Sequence, residues 1–219
     1  MDIKELFPHP VAEVFLDVDL TSIVSDAMEI ATEDVKAGWD CETISTFNED
    51  KLNFEFARRQ YDFLNQVEVA GKEFLMKVGW MNEEPHHLVH WWVNAYRNQH
   101  WQEWHHHGKH DVCGIFYATA DAVPTLFLNP NEYTFHAKTG MSETWGVSNP
   151  FKQKHHVVFP EPGKLVLFPG YMYHSVPYKN SNVNINYAQN RVTFAFNFGQ
   201  PRVRPLDEFA NDEGQMSFF

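Results

Sequence analysis

The chain has 219 residues, 43% hydrophobic and 16% aromatic, with a formal net charge of −12 when histidines are neutral. Nineteen Phe, eight Tyr and seven Trp exclude a disordered chain and supply a sizeable core. The acidic balance argues against a nucleic-acid backbone or an anionic membrane as the main partner, because both reward clustered Lys and Arg.

The cysteines Cys41 and Cys113 stand far apart with no CxxC, so they read as reduced packing residues rather than a zinc or redox site. The N-terminal segment has no signal-peptide pattern, and no apolar run reaches the roughly 18 residues that would suggest a membrane helix. The expected compartment is the cytoplasm.

Along the chain, residues 11–16 alternate between prolines Pro8 and Pro10 and the next segment, and read as an edge strand. From Asp19 or Thr21 to about Lys36, Ile23, Ala27, Ile30 and Ala31 recur at helical spacing, with Gly38 just beyond. Residues 40–48 look extended, and Asn48 is placed to cap a second helix. Leu52, Phe56, Arg59, Phe63, Val67, Ala70 and Phe74 mark one face of that helix over about seven turns. Arg58 and Arg59 are expected in solvent.

After Gly79 the pattern turns to short strands at 88–97, 111–118, 125–129, 134–137, 155–159, 164–169, 174–178 and 191–198, separated by turn formers. Such a series predicts an antiparallel sandwich or jelly roll. Residues 129–150 read as a long loop of the functional kind, and with residues 42–47 they are the expected substrate-recognition segments. The chain is expected to be one domain. Residues 1–79 form a supporting strand and helices, 80–200 the β core, and 201–219 an extension.

The chemistry concentrates in EWHHHGKHDVCGIFY, residues 103–117. On a strand alternate side chains share a face, so His105 and His107 point together and His106 points away. Imidazoles are the commonest metal ligands, and an i, i+2 pair can take neighbouring positions on one ion. His174, on a strand after a Pro-Gly turn, is the candidate third ligand. His110 and Asp111 compete for a ligand position, and a histidine-rich loop without metal is the bland alternative. Arg191 opens the alternating run VTFAFNF, where a guanidinium at a strand end suits bidentate capture of a carboxylate.

The run from Trp92 to Tyr117 resembles the W-x-N-x-Y, Q-E-x-H-x-H and G-x-Y-type motifs of a family of 2-oxoglutarate/Fe(II)-dependent oxygenases common in phages and marine bacteria. The residues that carry it are Trp92, Asn94, Tyr96, Gln102, Glu103, His105, His107, Gly114, Phe116 and Tyr117. Pro162, Gly163, Leu165, Phe168, Pro169, His174 and Val176 are similar to a second segment of that family, and Arg191, Phe196 and Asn197 to its closing one. LFPHPV near the start is similar to its opening.

The resemblance implies a mainly β protein with flanking helices, a cupin-like double-stranded β-helix. It implies Fe(II) held by His105, His107 and His174, and 2-oxoglutarate anchored by Arg191. Asn94, Tyr96, Tyr117 and Asn197 would make further contacts to the co-substrate. The reaction would be hydroxylation of a small molecule or a protein side chain, with release of succinate and CO2.

Two departures stand out. His107 replaces the carboxylate of the usual two-His-one-carboxylate triad, which leaves the site one negative charge short and weakens Fe(II) or favours another divalent metal. Cys113 stands where a serine is usual. A three-histidine dioxygenase without 2-oxoglutarate and a non-catalytic β-sandwich binding module stay open as other readings.

Overall fold

The computed structural model describes residues 9–32, 43–80, 86–97, 100–131, 155–178 and 191–200. The expected strand at 134–137, most of the loop at 129–150, Cys41 and the 201–219 extension lie outside these residues.

Two antiparallel sheets carry the architecture. The larger orders its six strands as β1 (Ala12–Phe15), β8 (Lys164–Pro169), β5 (Val112–Tyr117), β10 (Arg191–Gly199), β3 (His87–Tyr96) and β2 (Ile44–Ser45). The smaller runs β4 (Gln102–His105), β9 (His174–Val176), β6 (Thr125–Leu128) and β7 (His155–Val158). β1 takes the sheet edge, as its flanking prolines suggested.

Period-two alternation divides the large sheet into two faces. Val192, Phe194, Phe196 and Phe198 of β10, with Trp91, Val93 and Ala95 of β3, pack in one core with Phe56, Phe63, Val67 and Phe74. Those last four come from α2 (Asp50–Arg59) and α3 (Tyr61–Lys77). Cys113, Ile115 and Tyr117 of β5 turn the other way and meet Phe127, Val158 and Phe168 in a second core. Because strands of one sheet keep phase, Trp92, Asn94 and Tyr96 lie on the face opposite the helices. Their register partners on β10 are Ala195, Thr193 and Arg191.

α1 (Leu20–Ile30) begins as expected but ends short of Lys36, because Ala31 leaves the helical conformation at φ −89° and ψ 72°. Asp19 Oδ1 accepts from Thr21 N at 3.0 Å and Ser22 N at 3.1 Å, and Ile23, Ala27 and Ile30 are buried.

The second helix departs from expectation in three ways. It is two helices, broken at Gln60, whose φ −116° and ψ 36° are not helical. The Gln60 side chain donates to Ser22 Oγ at 2.8 Å and Asp26 Oδ2 at 2.6 Å on α1, so tertiary bonds overrode the periodic pattern. Asn48 is not the cap; Glu49 holds that position without a side-chain bond. Arg59 is not simply solvated either, since it reaches Asp26 at 2.9 Å and Glu29 at 2.6 Å, a half-exposed arrangement of small energetic weight.

No described helix is long and apolar enough to cross a membrane.

Candidate metal and co-substrate site

His105 ends β4 and His174 begins β9, directly opposite each other in the ladder. His107 lies just past the strand, yet its backbone is fixed. Its N–H donates to Gly170 O at 2.7 Å, and Gly170 N–H donates to Asp111 O at 3.1 Å. A Cβ on Gly170 would run into the His110 carbonyl, so the approach of these two turns requires glycine.

The three rings converge. One potential ligand atom from each lies within 4.8 Å of the others. In each ring Nδ1 is taken by an acceptor. His105 Nδ1 lies 2.9 Å from Glu103 O, His174 Nδ1 3.0 Å from Met172 O, and His107 Nδ1 2.6 Å from Asn197 Oδ1. An oxygen that only accepts there fixes the proton on Nδ1, which leaves each Nε2 unprotonated, with its lone pair toward the shared centre or, for His105, also within reach of the Gln102 amide. Burial lowers the basicity of all three, taking His107 down to about 4 and His174 well below the ordinary imidazole range. The neighbouring histidines lower His174 further, whereas the Asn197 bond works in the opposite direction on His107. At neutral pH the trio is therefore uncharged, the form that ligates metal.

His106 points outward, as strand alternation required; it is exposed and accepts from Gly108 N at 3.0 Å. Asp111, the acidic competitor, is turned to His86 Nε2 at 3.1 Å. Neither it nor His110 belongs to the converging group.

Arg191 lies across a narrow inner cavity lined also by Asn94, Tyr96, Gln102 and Thr125. It is 1% exposed. Nη1 donates to Val123 O at 2.8 Å and Nη2 to Thr125 Oγ1 at 2.9 Å, while Nε has no partner. Its guanidinium faces the Tyr96 and Tyr117 rings at 5.0 and 5.7 Å. Among the described residues no carboxylate pairs with it, and a buried unpaired cation is costly.

The other expected residues are placed as follows. Asn94 is buried with Oδ1 unpartnered, on the cavity wall. Tyr96 O–H donates to Gln102 Oε1 at 2.7 Å. Tyr117, its phenol pushed up by burial and so neutral, donates to Thr125 Oγ1 at 2.8 Å. The Asn197 carboxamide sits behind His107 and also accepts from the Cys113 thiol at 3.2 Å. Cys113 is buried and its thiol pushed up, which makes it a packing residue.

Sequence reasoning missed Thr125, and it named Trp92 and Gln102 as motif residues without giving them a role. Thr125 orients Arg191 from 66 positions away and carries no local signal. Trp92 stacks on His107 with centroids 5.6 Å apart. Gln102 brings its amide nitrogen to 3.5 Å from His105 Nε2; its position in the Q-E-x-H-x-H run was the available hint.

Residues 90–197, which carry all these groups, match the family model described as "Putative 2OG-Fe(II) oxygenase". This region belongs to the 2OG-Fe(II) oxygenase family. The chain is an enzyme of that 2-oxoglutarate-dependent class, and its cofactors are Fe(II) and 2-oxoglutarate.

Solved structures share its fold, the double-stranded β-helix. HygX from Streptomyces hygroscopicus, solved with nickel and 2-oxoglutarate bound, superposes with TM-score 0.56 at 14% identity, covering 96% of this chain and 92% of that one. The non-heme alpha ketoglutarate dependent epimerase SnoN from nogalamycin biosynthesis gives 0.58 at 11% identity, over 88% and 78% of the two chains. A Pseudomonas putida prolyl-4-hydroxylase gives 0.51 at 11% identity, over 88% and 94%. Comparison with curated proteins gives no match.

Proposed function

We propose that this oxygenase hydroxylates a small metabolite or a protein side chain, releasing succinate and CO2. His105, His107 and His174 would hold Fe(II) through Nε2, and Arg191 would bind the distal carboxylate of 2-oxoglutarate. The observation that carries the reading is the pairing of three neutral, Nε2-presenting imidazoles with a buried guanidinium that has no carboxylate partner among the described residues. Without a dicarboxylate co-substrate, only neutral groups (Val123 O, Thr125 Oγ1 and two aromatic rings) would offset the buried charge of Arg191, which weighs against a three-histidine dioxygenase that does without 2-oxoglutarate.

The chemistry supplied by Fe(II) with 2-oxoglutarate is oxidative decarboxylation coupled to substrate oxidation. The protein's part is positioning. Glu103 O, Met172 O and Asn197 Oδ1 hold the three rings in one tautomer. Asn94 and Tyr96 line the path between the histidines and Arg191, and Tyr117 flanks the guanidinium. In this scheme Asn197 serves through His107 rather than by touching the co-substrate.

The inner cavity has ≈ 20 Å³ free, roughly the room of one water. A five-carbon diacid therefore enters by displacing side chains, and the Arg191 contacts to Val123 and Thr125 are exchangeable for its carboxylate. Three neutral ligands leave a divalent ion uncompensated until a dianion arrives, so metal and 2-oxoglutarate should bind cooperatively. The reading takes the whole chain as one oxygenase domain.

The test is an anaerobic titration of Fe(II) and 2-oxoglutarate, followed by succinate release in air. A weak visible charge-transfer band and substrate-independent succinate are expected. A flat titration would overturn the proposal.

A further inference from the structure

Outside the three rings, on the side away from Arg191, opens a cleft of ≈ 530 Å³. That size suits an amino acid, a sugar or one side chain of a larger partner. Phe47 and Trp92 form its aromatic wall, packed edge to face with centroids 4.9 Å apart. Glu103 also lines it, and Glu103 Oε2 is buried without a hydrogen-bond partner among the described residues.

Several other polar atoms of the cleft are engaged. His106 Nδ1 accepts from Gly108, Asn197 Oδ1 accepts from His107 and Cys113, and Gln102 Oε1 accepts from Tyr96. Lys109 and His110 have interactions of their own. Outside the imidazoles, the buried atoms of the cleft without a partner among the described residues are one carboxylate oxygen and the Trp92 indole N–H. A buried carboxylate oxygen left without a donor costs free energy that a ligand can recover. An aromatic wall beside it favours a cation over a neutral donor.

We propose that this cleft receives a cationic nitrogen of the prime substrate, an ammonium or guanidinium, and that Glu103 is the residue that binds it. The assignment rests on the oxygenase reading for its placement beside the metal site. The cation lies against Glu103 and the Phe47–Trp92 wall, and the carbon to be oxidised is presented toward His105 and His107. Both a free amine and a lysine side chain carry this chemistry.

The test is calorimetric binding to the metal- and 2-oxoglutarate-loaded protein under nitrogen. The probes are pentylammonium, 1-pentanol and pentanoate, which share one chain length, together with capped Gly-Lys-Gly and its Nε-acetylated form. Pentylammonium should bind at least about tenfold tighter than 1-pentanol, and pentanoate weakest. In Glu103→Gln the ammonium preference should vanish, while Glu103→Asp keeps part of it. The net charge of −12 attracts cations to the whole surface, so loss of the preference in Glu103→Gln separates the site from that background. Tighter binding of the unacetylated peptide than of pentylammonium would assign the cation to a protein side chain, and the reverse order to a free amine.

Equal binding of pentylammonium and pentanol, or a preference that survives Glu103→Gln, overturns the proposal. If Glu103→Gln does not fold, the order of the probes on the unaltered protein decides. Failure of the oxygenase reading would show separately, as absence of 2-oxoglutarate binding to the unaltered protein.

Discussion

Replacing Asn197 by leucine tests the positioning of His107 most directly. The side chain is 2% exposed, and Oδ1 lies 2.6 Å from His107 Nδ1. Leucine is close in volume, so packing changes little, but the acceptor is gone. His107 then either keeps an unsatisfied Nδ1–H or moves the proton to Nε2, where the metal would bind. Losing the bond forfeits about 1 kcal/mol, and the stranded donor adds about 1–2 kcal/mol. Together these weaken metal binding by about 30–100-fold, since about 1.4 kcal/mol is tenfold, the range seen when partners of ligating histidines are removed. Asn197→Asp keeps the acceptor and adds the negative charge that three imidazoles lack, so it should bind at least as tightly as the parent. The assay is competition for Fe(II) or Co(II) against a chromophoric chelator under nitrogen, with a thermal melt to confirm folding. If the leucine variant folds and binds within about threefold of the parent, Asn197 does not position His107 and the reasoning fails.

Arg191→Lys should raise the KM for 2-oxoglutarate by about 10–100-fold, because a point charge replaces a bidentate fork; an unchanged KM in steady-state succinate assays would remove Arg191 from the co-substrate site. In the metal-free protein, burial holds His107 down at about 4, below the ordinary value near 6.5. The unfolded chain therefore binds the proton first as pH falls, so the folded state keeps full stability above about 6.5 and loses it on acidification. Urea melts should show about 2 kcal/mol lost between pH 7 and 5 from this ring alone; a flat profile would show that the ring titrates normally. Gly170→Ala sets a Cβ against the His110 carbonyl, so a loss of about 1–3 kcal/mol with weakened metal binding is expected, and a variant with parental melting and metal content would show that the two turns can separate.

Much of this site was legible in local sequence because it depends on short-range geometry. The period of two along HHH puts His105 and His107 on one side and His106 on the other. The same period sends Phe194, Phe196 and Phe198 to the helices, leaving Arg191 and Thr193 on the cavity side. Strand β8 falls where the apolar run 164–169 is bounded by a Gly turn and a Pro-Gly turn. What the sequence could not decide depends on pairs far apart in the chain. The break at Gln60 follows from bonds to Ser22 and Asp26 on another helix, against a hydrophobic period that runs straight through it. Asn197 faces His107 across 90 positions, and Thr125 meets Arg191 across 66. Such contacts are set by how the two sheets close on each other. The sequence by itself determined which residues could be ligands and which strand faces they share; only the tertiary structure decided which imidazole nitrogen each presents, and which carboxylate oxygen at the mouth of the site has no partner among the described residues.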